Sequence, residues 1–386
     1  MDLKIFFDPV DTGLFEDIKS QQTIFRNIFY LGKSFPDFSK ADIAFIGLTE
    51  NKGSQNNAGV SMAAEKIREK LYRLKKGVGT YKILDLGDLK NGENHEDTVL
   101  RIKEVCELLI DHDVLPILFG GSHDLDYGQY MAYENMEKLV SVLTVDAFLD
   151  MGNDEWKDLS HNHSQKILTH EPNYLFNFNL LAHQTYLIDP DSLNILEQLY
   201  FDAYRVGKLR QNLMEMEPII RDADMLSFDM TAIKSSDAPG NSNAQPFGLT
   251  GEEACQICWY AGMNEKLTST GFYEYNPDMD DESRKTAAVL ATMIWYFIEG
   301  FYNRKDHFSY RSNYYLKYVV SMPGDPDAIV FYKSKLSEKW WLEIPRPDSK
   351  KVFDRNTIVP CSYSDYEKAM EGEVPERWIS TQARLI

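Results

Sequence analysis

The feature that most constrains the fold is an alternation of short apolar segments with longer helix-like segments. Apolar runs with the length and composition of buried strands lie at residues 41–48, 81–86, 114–119, 140–146, 185–188, 225–229 and 270–275. Helix-like patterns lie near residues 61–75, 96–111, 126–138, 192–214, 250–264 and 281–300. This alternation predicts a three-layer α/β fold, in which helices cover both faces of a mostly parallel sheet.

Several of the predicted strands end in polar residues that could share one site. His123 follows the strand at 114–119, Asp146 and Asp150 follow the next strand, and Asp229 ends the strand at 225–229. Ligand sites of open α/β sheets form beyond the carboxyl ends of strands. Carboxylates crowded together repel unless a cation joins them, and an imidazole with carboxylates suits Mn²⁺ or another octahedral divalent ion. The alternative is that the aspartates cap turns and that His123 is an ordinary core histidine.

These segments resemble the motifs of the ureohydrolases, the family of arginase, agmatinase and formimidoylglutamase. Gly120-Gly121-Ser122-His123 matches the family's Gly-Gly-x-His, and Ser227-Phe228-Asp229 with Ala238-Pro239-Gly240 matches its third motif. Glu274-Tyr275-Asn276-Pro277 is similar to the family's Glu-x-Asn-Pro. The resemblance covers about residues 40–300 and implies an arginase-like fold.

The chain departs from the family pattern at two positions. Phe148 stands where the second motif, Asp-Ala-His-x-Asp, has its histidine, and Thr231 stands where the third motif has a second aspartate. By resemblance, the positions that are kept are the ligands of one of the family's two Mn²⁺ ions, and they are His123, Asp146, Asp150 and Asp229. The two lost positions serve the other ion, so the resemblance implies a single ion.

The resemblance also implies a function. Family members hydrolyse a C–N bond of a small cationic amidine or guanidine, using a metal-bound hydroxide. Two ions activate water better than one, so we expect weak or altered activity if this chain is an enzyme. The alternative is a non-catalytic protein of the ureohydrolase fold, a pseudoenzyme that binds a ligand or a protein partner.

Three residues are candidates for catalysis. His163-Ser164-Gln165 resembles the segment that carries the family's loop histidine, which shuttles protons or touches the substrate, and His161 is the second choice. Asp150 is a candidate as one of the expected metal ligands. Glu274 matches the glutamate that meets the cationic end of the substrate, although it could instead cap the following turn.

Composition narrows the class of protein. The chain has 386 residues, of which 43% are hydrophobic, and a net charge of −19, which argues against nucleic acid or an anionic membrane as a partner. Four cysteines in a chain of this length suit a reducing compartment. The start of the chain lacks the pattern of a signal peptide, and the apolar run at 286–298 is shorter than the roughly 20 residues that span a bilayer. We expect a cytoplasmic protein, and the resemblance suggests a homo-oligomer.

We predict three units along the chain. Residues 1–40 form an extension that packs across the core, residues 41–304 form the ureohydrolase-like α/β domain, and residues 305–386 form a β-rich appendage. In the appendage, strands are predicted at 314–321, 328–333 and 340–344, and a helix at 363–370. Its many aromatic side chains either pack on the α/β domain or form an interaction surface.

Overall fold

The computed structural model describes residues 3–32, 37–136, 138–152, 158–345 and 358–385. Within these residues, one large sheet contains β1 (Phe7–Asp8), β2 (Phe29–Tyr30), β3 (Ile43–Leu48), β4 (Ile83–Leu89), β5 (Leu115–Gly120), β6 (Val140–Val145), β7 (Leu175–His183), β8 (Asp202–Arg205), β9 (Met225–Asp229) and β10 (Ser269–Tyr273). The strand order is β1-β4-β3-β5-β10-β9-β6-β7-β8, and β2 also pairs with β4. Only β1 is antiparallel among these described strands.

Helices cover both faces of this sheet. They are α1 (Ala63–Leu71), α2 (His95–Ile110), α3 (Asp126–Met131), α4 (His163–Leu168), α5 (Pro190–Gln198), α6 (Val206–Gln211), α7 (Glu217–Arg221), α8 (Gly251–Gly262) and α9 (Lys285–Tyr302). Neighbouring residues of one strand enter different cores, because side chains alternate across a sheet. Phe45 packs in the core under α1, α8 and α9, whereas Ala44 and Ile46 pack in the core under α2. The predicted three-layer α/β fold is therefore confirmed.

Local sequence explains how α8 and α9 come together. Thr250 and Glu253 form a capping box that starts α8, since each side chain accepts a hydrogen bond from the other residue's backbone N–H. Gly262 of α8 and Gly300 of α9 lie where the two helices meet, and a Cβ at either position would approach backbone atoms of the other helix within 2.2–2.5 Å. The two glycines thus permit a helix contact that a larger residue would prevent.

The structure corrects two predictions in the same region. Residues 185–188, predicted as a strand, contain a short 3₁₀ turn at Thr185–Leu187, and the strand is β7 instead. Asn177 and Asn179 interrupt the apolar pattern of β7, which hid it from a search for buried runs. The predicted helix at 192–214 is wrong as one unit, because the edge strand β8 separates α5 from α6.

The two ends of the chain add to this α/β core. The N-terminal residues supply β1 and β2 to the sheet edge, and Phe15, Ile24 and Phe25 are buried in the main core. The C-terminal residues form a second, antiparallel sheet of β11 (Tyr315–Ser321), β12 (Ala328–Ser334), β13 (Trp340–Glu343) and β14 (Ile358–Cys361), with helices α10 (Tyr363–Met370) and α11 (Glu376–Leu385). The β-rich extension is confirmed, although β14 and α11 were not predicted.

The C-terminal unit is anchored on the α/β core by an arginine. The Arg221 guanidinium of α7 lies 4.4 Å from the centre of the Trp341 ring and donates a hydrogen bond to the backbone oxygen of Trp340. Trp340 and Trp341 are buried. Part of the predicted aromatic surface therefore packs on the parent domain, while the unit boundaries at 40 and 304 stay predictions.

No described helix combines the length and the apolar character that crossing a membrane requires. The cytoplasmic location stays a prediction.

Candidate metal centre

Polar groups from adjacent strands meet at the carboxyl edge of the large sheet. The four strands β5, β10, β9 and β6 are neighbours in that order. His123 follows β5, Asp146 follows β6 and Asp229 ends β9. The crossovers of the parallel sheet therefore bring residues that are far apart in sequence to one point, as the strand-end argument predicted.

The structure brings the four predicted metal ligands together. His123 Nδ1 lies 3.0 Å from Asp229 Oδ2, 3.3 Å from Asp146 Oδ2 and 3.8 Å from Asp150 Oδ2. His123 is fully buried and Asp146 nearly so. Neither His123 Nδ1 nor Asp146 Oδ2 makes a hydrogen bond to any residue that the structure describes. We call the space that these atoms face the inner seat.

A hydrogen-bond chain behind His123 sets its tautomer. Ser227 Oγ donates to Asp126 Oδ2 at 2.8 Å, so it can accept from His123 Nε2, which lies 2.8 Å away. With the proton on Nε2, the Nδ1 lone pair points at the three carboxylates. A metal-binding histidine requires this arrangement, in which the second nitrogen is held by an outer partner.

The electrostatics of the inner seat favour a cation. Burial and the neighbouring carboxylates of Asp229 and Asp150 raise the pKa of Asp146 to about 8. Burial would also raise the pKa of Asp150, but the imidazoles of His161 and His163 lower it. Buried carboxylates that repel one another, beside an imidazole nitrogen without a hydrogen bond, form an oxygen-rich donor set that fits one divalent ion such as Mn²⁺.

The opposite side of the same carboxylates is occupied by protein donors. Asp146 Oδ1 accepts hydrogen bonds from Phe148 N at 2.9 Å and from Thr231 Oγ1 at 2.8 Å. Asp229 Oδ1 accepts a hydrogen bond from Thr231 N at 2.6 Å. We call this side the outer seat. Its carboxylate oxygens are already satisfied by N–H and O–H groups, and Phe148 and Thr231 contribute a ring and a hydroxyl to it.

Two histidines approach Asp150 from different sides. His163 is fully buried, its Nε2 lies 3.3 Å from Asp150 Oδ2, and its Nδ1 lies 2.9 Å from Asp126 Oδ2. Its ring centre is 3.9 Å from that of His123. One of its ring nitrogens lies within 4.8 Å of a His123 ring nitrogen and of carboxylate oxygens of Asp146 and Asp150, so His163 could also approach an ion there. Burial lowers the pKa of His163, but the Asp126 carboxylate outweighs burial and holds it at about 9.

His161, the second choice from sequence, lies nearer the surface. Its Nδ1 is 2.9 Å from Asp150 Oδ1, and 11% of its side chain is exposed. Together with Phe148 and Asp150 it lines a small cavity of about 70 Å³. The more accessible imidazole at this edge is therefore His161, whereas His163 lies beneath the cluster.

Glu274 supports the cluster through hydrogen bonds. Its Oε1 accepts from the backbone N–H of His123 at 2.9 Å, and its Oε2 accepts from Ser54 Oγ at 2.9 Å and from Asn57 Nδ2 at 2.7 Å. The alternative that Glu274 caps the next turn is wrong, since Asn276 is the cap of that turn. Burial and the charge of Asp229 raise the pKa of Glu274 to about 7. Its contact with a substrate stays a prediction.

Sequence reasoning missed the residues that hold the cluster from behind. Asp126 follows His123 by three residues, a spacing that places both on one side of a helical turn and could have drawn attention to it. Ser227 lies within a motif that was recognised, but its hydroxyl received no role. Ser54 and Asn57 lie more than 200 residues before Glu274 and carried no usable signal.

The sequence matches known proteins along most of the α/β core. The arginase family model matches residues 41–299. The chain is 25% identical over 272 residues to a formimidoylglutamase of Staphylococcus haemolyticus, covering 67% of this chain and 86% of that protein. It is 26% identical over 279 residues to the mitochondrial guanidino acid hydrolase of Homo sapiens, covering 66% of this chain and 76% of that protein.

Solved structures show the same fold. Trypanosoma cruzi formiminoglutamase with Mn²⁺ superposes with a TM-score of 0.64 at 22% identity, covering 70% of this chain and 97% of that one. Formimidoylglutamase from Bacillus subtilis superposes with a TM-score of 0.65 at 19% identity, covering 74% of this chain and 94% of that one. The family match spans well over half of the chain, and the strand-end cluster lies inside it. The chain therefore belongs to the arginase family.

Proposed function

We propose that this protein hydrolyses a C–N bond of a small linear amidine or guanidine at a single divalent ion. The observation that carries the proposal is the inner seat, where a buried imidazole nitrogen lies 3.0–3.8 Å from three carboxylate oxygens that come from different parts of the chain. The formimidoylglutamases and the guanidino acid hydrolase to which the chain is similar support the substrate class.

The ion is held by His123 Nδ1 and by carboxylate oxygens of Asp146, Asp150 and Asp229 in this proposal. When bound, a divalent ion supplies an activated water and polarises the carbon–nitrogen group. The chain itself prepares this position, because Ser227 and Asp126 hold the His123 proton on Nε2. Glu274 fixes the backbone of His123 from the other side.

Proton transfer to the leaving amine is assigned to the histidines at Asp150. His163 is the residue predicted from the sequence, and its raised pKa keeps it protonated at neutral pH, so it can hold the Asp150 carboxylate. His161 touches the same carboxylate from the more open side and is the group that a substrate in the small cavity would meet first. We propose that His161 exchanges protons with the substrate and that His163 holds Asp150 in place.

The count of one ion rests on the outer seat. Phe148 N, Thr231 N and Thr231 Oγ1 already donate to the oxygens that a second ion would need. A second ion would have to displace these hydrogen bonds without gaining an imidazole or a carboxylate from either residue. We infer one ion per chain and slower hydrolysis than a pair of ions supports.

A non-catalytic role is the second candidate, and the outer seat is also the observation that favours it. A fold that keeps one ion for structural reasons, and that has lost the second, could bind an amidine or a protein partner without hydrolysing anything. An imidazole that lines a cavity beside Asp150, as His161 does, is not needed by a purely structural ion and favours the hydrolase.

Metal analysis tests the ion count. After loading with Mn²⁺ and removal of excess metal, we expect about one ion per chain by elemental analysis. Asp229→Ala should hold none, and Asp191→Ala, an exposed aspartate on α5, should hold as much as the wild type. About two ions in the wild type would contradict the single-ion proposal.

Product analysis tests the activity. The Mn²⁺-loaded protein is incubated with formimidoylglutamate, arginine or agmatine, and formamide, urea and ammonia are measured. Product that disappears in Asp229→Ala and persists in Asp191→Ala supports the hydrolase. If no substrate gives product while the protein retains its ion, the binding role is favoured.

A further inference from the structure

A polar cavity lies at the opposite end of the α/β core from the metal centre. It has a volume of about 240 Å³ and is enclosed between β7, β8 and the C-terminal helices α10 and α11. Asn177 lines it near the start of β7, six residues before the carboxyl end of that strand, which corresponds to about 20 Å of extended chain. The cavity depends on residues beyond 41–299, the part of the chain that matches the family.

One face of the edge strands is polar although it is covered. Asn177, Asn179 and Asp202 line the cavity, and the strand alternation places them on one face of the sheet. The neighbour Phe178 points to the other face and packs in an apolar core. Phe176, at the irregularity where β7 shifts register against β6, packs in the core of the C-terminal unit. A strand covered on both sides is ordinarily apolar, so a buried amide face needs polar partners.

Asn177 presents an acceptor that has no donor. It is 4% exposed, and its Oδ1 makes no hydrogen bond to any residue within the described ranges. A buried carbonyl oxygen without a donor is unfavourable, so a donor that enters the cavity would bind to it favourably.

The Arg377 guanidinium lines the cavity with one of its donors already in an ion pair. Its Nε donates to Asp365 Oδ2 at 3.3 Å, and its two terminal nitrogens make no hydrogen bond in the described part of the chain. The side chain lines the cavity from α11. The planar guanidinium matches a carboxylate, which can accept two parallel hydrogen bonds from it.

Asn177 Oδ1 and the terminal nitrogens of Arg377 do not bond to each other, so they are separated by more than hydrogen-bond distance inside one cavity. A ligand that satisfies both residues carries a donor for Asn177 and an acceptor for Arg377. An anionic acceptor suits Arg377 best, because the guanidinium is a cation. Both signs of charge line the walls, with Lys208 and Lys368 on one hand and Asp202 and Asp222 on the other. Such walls suit a ligand without net charge better than an anion or a cation alone.

We propose that this cavity is a binding site for a free α-amino acid. The carboxylate lies against the Arg377 guanidinium, and the ammonium donates to Asn177 Oδ1, with Asp202 nearby. The site is separate from the metal centre and does not depend on the activity proposed above.

Isothermal titration calorimetry of the full chain tests the site with L-alanine and L-glutamate. We expect saturable binding of one amino acid per chain, and at least ~10-fold weaker binding of acetate or methylamine, each of which carries only one of the two groups. If neither amino acid binds at about 10 mM, the proposal is overturned and the cavity is a solvent-filled crevice.

Variants locate the binding. Asn177→Leu and Arg377→Gln should each weaken it at least ~10-fold, because each removes one of the two recognised groups. Arg205→Gln, an exposed arginine at the end of β8, and Asp150→Asn at the metal centre should bind as the wild type does. Asn177→Leu removes no side-chain hydrogen bond to the described chain, so it stays decisive if the Arg377 variant does not fold. Binding that is lost in Asp150→Asn and kept in Asn177→Leu would contradict the proposal.

Discussion

The inner and outer seats use opposite oxygens of the same two carboxylates. On the inner side, Asp146 Oδ2 and Asp229 Oδ2 face the His123 Nδ1 nitrogen. Asp146 Oδ2 accepts no hydrogen bond from any residue that the structure describes. On the outer side, Asp146 Oδ1 and Asp229 Oδ1 accept hydrogen bonds from Thr231 and from Phe148 N. Carboxylate oxygens in a buried site need either a cation or hydrogen-bond donors. The outer side has donors, and the inner side is where we propose the cation.

The two sides differ in what satisfies the buried carboxylate oxygens. The Thr231 hydroxyl and two backbone N–H groups donate to the outer oxygens. The inner oxygens lie beside an imidazole nitrogen, and in our proposal a divalent ion binds there. Substitutions on the two sides should therefore affect ion binding and stability differently.

The largest effect is expected from Asp146→Ala, since Asp146 contributes to both sides. Loss of a ligand should weaken Mn²⁺ binding at least ~100-fold, as measured by isothermal titration calorimetry. Asp191→Ala serves as the matched control. Wild-type affinity in Asp146→Ala would show that the inner seat is not the metal site.

A large effect is also expected from the double variant Phe148→His with Thr231→Asp. It supplies the imidazole and carboxylate that the outer seat lacks and removes the hydroxyl that donates to Asp146 Oδ1. The ion content should rise from about one to about two per chain by elemental analysis. The two single variants are the controls, and a double variant that still holds one ion would mean that the seats differ in more than these residues.

The pH dependence of ion binding reports on the inner seat. The pKa of Asp146 is raised from 3.8 to about 8 in the ion-free protein. A proton on Asp146 therefore competes with the ion below pH 8. Burial lowers the pKa of His123, but the Asp146 and Asp229 carboxylates outweigh burial and raise that pKa as well, which adds a second competing proton. Mn²⁺ affinity should fall at least ~10-fold for each pH unit between 8 and 6. An affinity that does not change over this range would contradict the raised pKa.

The raised pKa of Asp146 also makes the stability of the ion-free protein depend on pH. A carboxyl group whose folded pKa lies above its unfolded pKa stabilises the folded state at low pH, and this contribution is lost as the pH rises through the folded value. The ion-free protein should thus lose stability between pH 4 and pH 8. Thermal unfolding should show a larger increase in Tm on adding Mn²⁺ at pH 8 than at pH 6.

The smallest effect is expected from Thr231→Val, which removes the hydroxyl that bonds to Asp146 Oδ1 and keeps the shape of the side chain. A buried carboxylate that loses a donor should cost about 1–3 kcal/mol of unfolding free energy in urea. Ion content should remain near one. Thr231→Ser keeps the hydroxyl and should retain most of the stability, whereas equal losses in both variants would assign the effect to packing.

Much of the fold was predictable because the signals are local. Apolar runs of strand length separated by amphipathic segments gave the α/β class, and helix α10 was predicted with its observed bounds at 363–370. Local signals failed where tertiary contacts override them. Asn177 and Asn179 give the interior strand β7 a polar face, which is unlike the apolar pattern of a buried strand. The edge strand β8 divides a segment whose pattern predicts one helix.

The sequence by itself determined that His123, Asp146 and Asp229 stand at strand ends, and that Phe148 and Thr231 depart from the motifs that the neighbouring residues match, since both depend only on short patterns and motif positions. Tertiary structure decided what each group touches. The Thr231 hydroxyl meets a carboxylate 85 residues away, and Asn57 meets Glu274 across 217 residues. Such contacts depend on the order of strands in a sheet with crossovers, which no local pattern records, because periodicity specifies the face of a strand but not its neighbour.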